Sequence, residues 1–312
     1  MRQLIAIILT SILLACGGCA VFTDGGTSGA AATDLRCEYL VDPLGIDVPK
    51  PRLSWVVRSK QRGQMQTAYQ ILVASSEENL AKNQGDLWDT GKVESDQSIH
   101  VAYEGKRLRS RMRCFWKVRV WDAGGKPGRY SRRARWEMGF LWAWDWQARW
   151  LSAPPPPDES VQPSPLFRKT FVLEKPIKKA RAYVCGLGYY ELYLNGKKVG
   201  DNVLDPAFTH YDRRVLYVTY DVTNYVRPRS NAVGVMLGNG WYNMHTRAVW
   251  GFDQAPWRDR PTMLCQLEVE FTDGSSQVIA SDSTWKVSTG PILFDSIRSG
   301  ERYDARLEKH GW

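Results

Sequence analysis

Glu301 and Asp304 stand close together in the chain, and paired carboxylates are the groups that do general acid–base work. With 33 Asp and Glu in 312 residues such a pair arises readily, and the two also read as a structural loop, so no catalytic residue is assigned. The stretch from Gly238 to Trp257 has a different chemistry. It interleaves the side-chain oxygens of Asn239, Asn243 and Asp253 with the rings of Trp241, Tyr242, Trp250, Phe252 and Trp257. Flat rings stack on sugar faces, and long loops on rigid scaffolds often carry binding residues. The alternative is a loop whose aromatics simply pack beneath it. His245 has no second histidine nearby, and the cysteine spacing matches no zinc pattern, so a transition-metal site is not expected.

The N-terminus reads as an address. Arg2 precedes an apolar run from Leu4 to Leu14, too short to span a bilayer comfortably and fitting a secretory signal. The run ends in Leu13-Leu14-Ala15-Cys16, which resembles the lipobox of bacterial lipoproteins. That resemblance implies a signal peptide over 1–15, acylation of Cys16 and a membrane held by the lipid anchor. The expected location is the bacterial outer membrane or periplasm; an ordinary cleaved signal is the other reading. Residues 16–33 are rich in Gly, Ala, Ser and Thr and read as a flexible tether. In an exported chain Cys37 and Cys114 can pair, or all of Cys37, Cys114, Cys185 and Cys265 can remain thiols.

Composition is that of a soluble globular protein: 43% hydrophobic, 24% charged and 12% aromatic. The net charge of +9 is spread along the chain, with its densest runs inside strand patterns, so no nucleic-acid partner is expected.

The elements that must position these residues are strands. From 34 to 140, short alternating runs separated by turns predict an immunoglobulin or fibronectin-III-like sandwich. Cys114 to Asp122 shows the pattern best, with Phe115, Lys117, Arg119 and Trp121 on one face and Trp116, Val118 and Val120 on the other. Only Glu77 to Lys82 suggests a helical turn. A joint follows over 141–165. Trp142, Trp144 and Trp146 alternate there, which on an extended chain puts three rings on one side. They read as a hydrophobic seam between domains or as a stacking platform for a glycan. From 166 to 312 longer strands and the Asn195-Gly196 hairpin signal predict a jelly-roll-like β-sandwich. The fold class is all-β.

Ordered blocks then point to a family. Leu35 to Leu40, Pro51 to Trp55, Leu87 to Val93 and Trp116 to Asp122 resemble the fibronectin-like domain at the front of bacterial α-L-rhamnosidases. Gly186 to Gly196, Leu204-Asp205-Pro206, Arg214 to Tyr217, Gly234 to Tyr242 and Gly300 to Leu307 resemble the N-terminal accessory domain of the same enzymes. The resemblance covers roughly Leu35 to Trp312.

It implies an inverting glycosidase whose two carboxyl groups, about 6.5–9.5 Å apart, lie in a downstream (α/α)6 barrel. No run of amphipathic helices here would build that barrel. The expectation is therefore an inactive front part of a rhamnosidase, with the downstream catalytic domain as its partner. A self-standing carbohydrate-binding lipoprotein is the alternative. Related rhamnose-binding modules hold their sugar through calcium on an Asp-Asn pair. Asp201-Asn202 sits in roughly that place, with Asn239, Trp241 and Asn243 as further candidates for a rhamnose-containing glycan or calcium. Calcium wants 6–8 oxygens, so Asp201-Asn202 alone also reads as a simple turn.

Overall fold

The computed structural model describes residues 29–156, 163–247 and 250–309. The chain begins with β1 (Ala30–Cys37), β2 (Arg52–Ser59), β3 (Ala68–Ala74), α1 (Glu77–Ala81), β4 (Trp88–Asp89), β5 (Val93–Glu94), β6 (Val101–Ala102), β7 (Arg113–Trp121) and β8 (Ala134–Glu137). Sheet β1-β2-β6 packs against sheet β4-β3-β7-β8, to which β5 adds through β3. In β7, Trp116, Val118 and Val120 are fully buried between the sheets, as the alternation predicts. Arg119 on the opposite face lies over the rings of Trp121 and Tyr130, each 4.9 Å from its guanidinium carbon. Phe115 shares that outer face yet is buried, because α1 covers it with Leu80. The Ser76 hydroxyl caps this helix by accepting the Asn79 N–H.

The tether expectation needs one correction. Strand β1 starts at Ala30, inside the stretch assigned to the tether, and pairs Ala30 with Ser59. Ala30 and Ala32 are buried, so small side chains that read as flexible are here fitted against the core.

After β9 (Leu151–Ser152) the second domain runs through β10 (Pro165–Leu173), β11 (Ile177–Leu187), β12 (Tyr189–Leu194), β13 (Lys197–Lys198), β14 (Val218–Asp221) and β15 (Arg229–Gly238). It ends with β16 (Thr262–Phe271), β17 (Ser276–Ala280), β18 (Lys286–Thr289), β19 (Ile292–Ser296) and β20 (Gly300–Tyr303). Sheet β13-β12-β15-β10-β18 faces sheet β14-β11-β16-β17, with β9 added to β16 and β19 paired with β20. Leu192, Leu194, Val233, Val235, Val184, Cys265 and Leu267 fill the space between them. The all-β reading, two successive β-sandwiches, is what the chain forms. Cys37, Cys114, Cys185 and Cys265 are all buried free thiols.

The outer face of β11 and β16 meets the first domain. Phe140, just beyond β8, stacks on Tyr183 with ring centroids 4.0 Å apart. Its backbone N–H donates to the Tyr217 hydroxyl at 2.7 Å. Gly139 lets this approach happen, since a Cβ there would stand 2.2 Å from the same hydroxyl oxygen. Charged groups flank the rings. Arg181 donates to both carboxylate oxygens of Glu137 at 3.0 Å. Arg111 donates to both oxygens of Glu268 at 2.6 Å and to Asp145 at 2.8 Å. Gln266, fully buried, accepts the Gln147 N–H at 2.7 Å and so straps the joint to the second domain.

The joint itself differs from an extended chain. Ala143–Asp145 forms a 3₁₀ turn. Asp145 fixes it by accepting the Trp142 N–H and the Ser110 hydroxyl. Trp142 and Trp144 therefore stack on one another, centroids 5.0 Å apart, and Trp144 is 75% exposed. Only Trp146 joins the seam, edge-on to Phe140 at 4.7 Å.

Candidate functional site

Two loops of the second domain carry the residues singled out in the sequence. The first follows the β12–β13 hairpin. Gly200, with φ +73°, turns the chain into Asp201-Asn202, both exposed. Asn202 donates its amide to Asp205 at 2.6 Å. Asp205 also accepts the Tyr220 hydroxyl at 3.0 Å, and Tyr220 bonds Tyr190 at 2.9 Å. Burial holds the Tyr220 phenol up at about 12 and raises Tyr190 as well, so both remain neutral donors. Asp205 is thus the anchor of the turn. The Asp201 carboxylate and the Asn202 amide oxygen have no partner among the described residues.

The second loop follows β15. Asn239 is buried, and its amide donates to Asp295 at 2.8 Å while its backbone N–H donates to the other Asp295 oxygen at 2.7 Å. Its side-chain oxygen accepts from Asn243 at 2.6 Å. Ser164 completes the network by donating to Asp295 at 2.9 Å. The side-chain oxygen that Asn239 was expected to offer to a calcium or sugar is thus taken by Asn243. Asn239 holds the loop against β19, and Asn243 is tied to Asn239 through its amide N–H. They also lie on the far side of β12, since Tyr190 bridges to Asp205 on one edge and pairs with Leu237 on the other. Two strand spacings, about 10 Å, thus separate the backbones at Asp205 and Leu237. Asp295 was not anticipated; no local pattern marks it, because its partner is distant in sequence.

Trp241 is placed differently. It meets Phe252 edge-on at 5.5 Å and Phe208 at 6.2 Å, so the two loops join through their rings. Burial raises the Tyr189 phenol, and a hydrogen bond from Trp241 offsets this. Trp250 and Phe208 are 66% and 45% exposed at the rim, and Arg298 lies over the Trp250 ring at 5.0 Å. Deeper in the cluster, the Tyr211 hydroxyl and the Trp257 N–H are buried without a partner among the described residues. Gly188 makes the close approach of β12 to this loop possible: φ is +98°, and a Cβ would lie 2.1 Å from the Gly238 carbonyl oxygen.

Elsewhere, one of the two tempting carboxylates is held by the structure. Asp304 caps a 3₁₀ turn over Ala305–Leu307 and binds Arg306 at 2.6 Å, so it is held by structure. Glu301 pairs in register with Asp295 across β19–β20. Among the described residues, no three His, Cys, Asp or Glu side chains are grouped to hold a metal ion. No described helix is long and apolar enough to cross a membrane. Cys16 and the signal segment lie outside the described residues.

The fold and these loops define a tandem of β-sandwich modules, an immunoglobulin-like domain fastened to a larger sandwich with an aromatic loop cluster at one end. Residues 32–142 match the Rha78A-like N-terminal immunoglobulin domain, and residues 175–312 match the α-L-rhamnosidase N-terminal domain. The chain thus carries the two domains that these models place at the N-terminus of α-L-rhamnosidases. It is 39% identical over 295 residues to an α-L-rhamnosidase of Formosa agariphila, covering 87% of this chain and 31% of the relative. The solved α-L-rhamnosidase of Dictyoglumus thermophilum superimposes with a TM-score of 0.82 at 41% identity, over 90% of this chain and 32% of that one. The Streptomyces avermitilis α-L-rhamnosidase, solved in complex with L-rhamnose, gives 0.83 at 28% identity, over 91% and 43%. The chain spans about a third of the length of the curated relatives from Formosa and Alteromonas.

Proposed function

We propose that these two sandwiches are the accessory, non-hydrolytic part of an α-L-rhamnosidase, and that a downstream (α/α)6 barrel supplies the chemistry. The observation that carries this is the match itself: it covers most of this chain but only about a third of the curated relatives. The carboxylates at the end of the second domain support it, since Asp304 is occupied in capping. The test is hydrolysis of an aryl α-L-rhamnoside by the purified chain, alone and joined to a homologous barrel. Turnover by the joined form only is expected. Turnover by these domains alone would overturn the reading.

A second role is favoured by the exposed rings and the uncommitted turn. The second domain binds a rhamnose-containing glycan, with Trp250 and Phe208 as the stacking surface. The Asp201 carboxylate and the Asn202 amide oxygen fit a calcium ion in part, as hard oxygen donors without a partner among the described residues, and the remaining ligands would be water and sugar hydroxyls. Calorimetry with L-rhamnose, with and without calcium, tests this; no heat in either case removes it. Cys16 acylation and an exported, membrane-anchored location complete the proposal. Mass measurement of the mature N-terminal peptide checks it.

A further inference from the structure

The seam between the domains opens into a cleft of about 460 Å³ that neither role above uses. Both domains build it: Arg113 and Arg135 come from β7 and β8, and Lys178, Lys179 and Arg181 from β11. Asp221 and Glu270 stand in its wall, and Glu137 lies beneath, 2% exposed.

The pairing leaves positive charge over. Glu137 is shared by Arg181 at 3.0 Å, Lys179 at 3.5 Å and Arg113 at 3.8 Å. Lys178 binds Glu270 at 2.6 Å, and Asp221 binds Arg181 at 2.8 Å. Arg135 is exposed, and its guanidinium has no partner among the described residues; Asp42 takes only its backbone N–H. Arg113, Arg135, Lys178, Lys179 and Arg181 thus face only Glu137, Asp221 and Glu270, and a concave surface focuses the excess positive field. A second cleft of about 400 Å³ shares Lys179, Arg181 and Glu270 and continues along the seam to Arg111.

We propose that this cleft binds an acidic glycan through carboxylate or sulfate groups on its sugars. Arg135 and Arg113 present planar donor forks suited to either oxyanion, and Lys179 adds a point charge. Thr223 and Asn224 line the same cleft and offer partners to sugar hydroxyls. The continuation adds length rather than charge, since Arg111 is paired with Glu268 and Asp145, and that length suits a chain of sugars better than a lone ion. No aromatic side chain lines the first cleft, so the stacking that single-stranded nucleic acids use is missing. The choice of a glycan leans on membership of a glycan-processing family; the charge does not depend on the rhamnose reading.

The test is electrophoresis of the purified chain through gels containing polygalacturonate, dextran sulfate or neutral dextran. Retardation by at least one of the two polyanions, and not by neutral dextran, is expected, and which one distinguishes carboxylate from sulfate. Salt weakens it. Arg135→Ala together with Arg113→Ala lowers the affinity at least about fivefold, with an unchanged unfolding midpoint, while Arg62→Ala on a distant surface leaves it intact. The proposal is overturned if neither polyanion retards the chain, if Arg62→Ala weakens retardation as much, or if a short DNA duplex binds as tightly as the better polysaccharide. Loss of rhamnose binding with retained retardation would remove only the rhamnose role.

Discussion

Arg181 of the second domain and Glu137 of the first meet through two hydrogen bonds of 3.0 Å, and neither residue is more than 5% exposed. Removing one partner of such a pair leaves the other charged and buried, at a cost of about 3–5 kcal/mol. Glu137→Ala should lose stability on that scale, since Arg181, Lys179 and Arg113 all face the vacated carboxylate. Denaturant unfolding measures it. A loss under about 1 kcal/mol would show that water compensates the seam.

Tyr217→Phe keeps the ring between Phe140 and Trp146 and removes only the oxygen that accepts the Phe140 N–H. A donor left unsatisfied costs about 1–3 kcal/mol. The expected result is a lower unfolding midpoint with unchanged secondary structure by circular dichroism.

Gly188→Ala and Gly63→Ala form an informative contrast. Both positions have positive φ, but a Cβ at Gly188 would meet the Gly238 carbonyl oxygen at 2.1 Å, whereas Gly63 opens onto empty space. Gly63→Ala should cost about 1 kcal/mol from backbone conformation alone. Gly188→Ala should cost about 2 kcal/mol more or fail to fold, because it adds a clash with backbone. Equal effects would contradict the close packing of β12 on the following loop.

Asp282 gives a pH signature. Hydrogen bonds from Lys169 and Thr284 hold its carboxyl down at about 2, from an ordinary value of 3.8. A depressed folded value stabilises the protein above the unfolded pKa, and that contribution disappears as pH falls through the folded one. Asp282→Asn should therefore flatten the loss of stability between about pH 4 and pH 2. The Asp282 side chain is 39% exposed, so the change is small and shrinks with added salt. Thermal midpoints at several pH values read it out.

What was legible in the sequence is what short-range pattern encodes. The alternation along Cys114 to Asp122 predicts the inner face of β7, Trp116, Val118 and Val120, though not the cover over Phe115, and Asn195-Gly196 predicts a hairpin that forms. Long-range partners are not encoded that way. Arg111 and Glu268 lie 157 residues apart, and nothing near either announces the other. Asn239 looked available because amides on a loop usually are; Asp295, 56 residues beyond it, takes its N–H groups, and Asn243 takes its oxygen. The three tryptophans of the joint alternate as a strand would, but Ser110 and Arg111 hold Asp145 and wind that stretch into a turn.

The buried pair at the seam also binds the fates of the two sandwiches. If either domain melts, Glu137 or Arg181 is stranded without its counter-charge in the survivor, and Phe140 loses the ring it rests on. Unfolding is then a single cooperative event rather than two. Cutting the chain at the family boundaries, after 142 or before 175, would divide one thermodynamic unit.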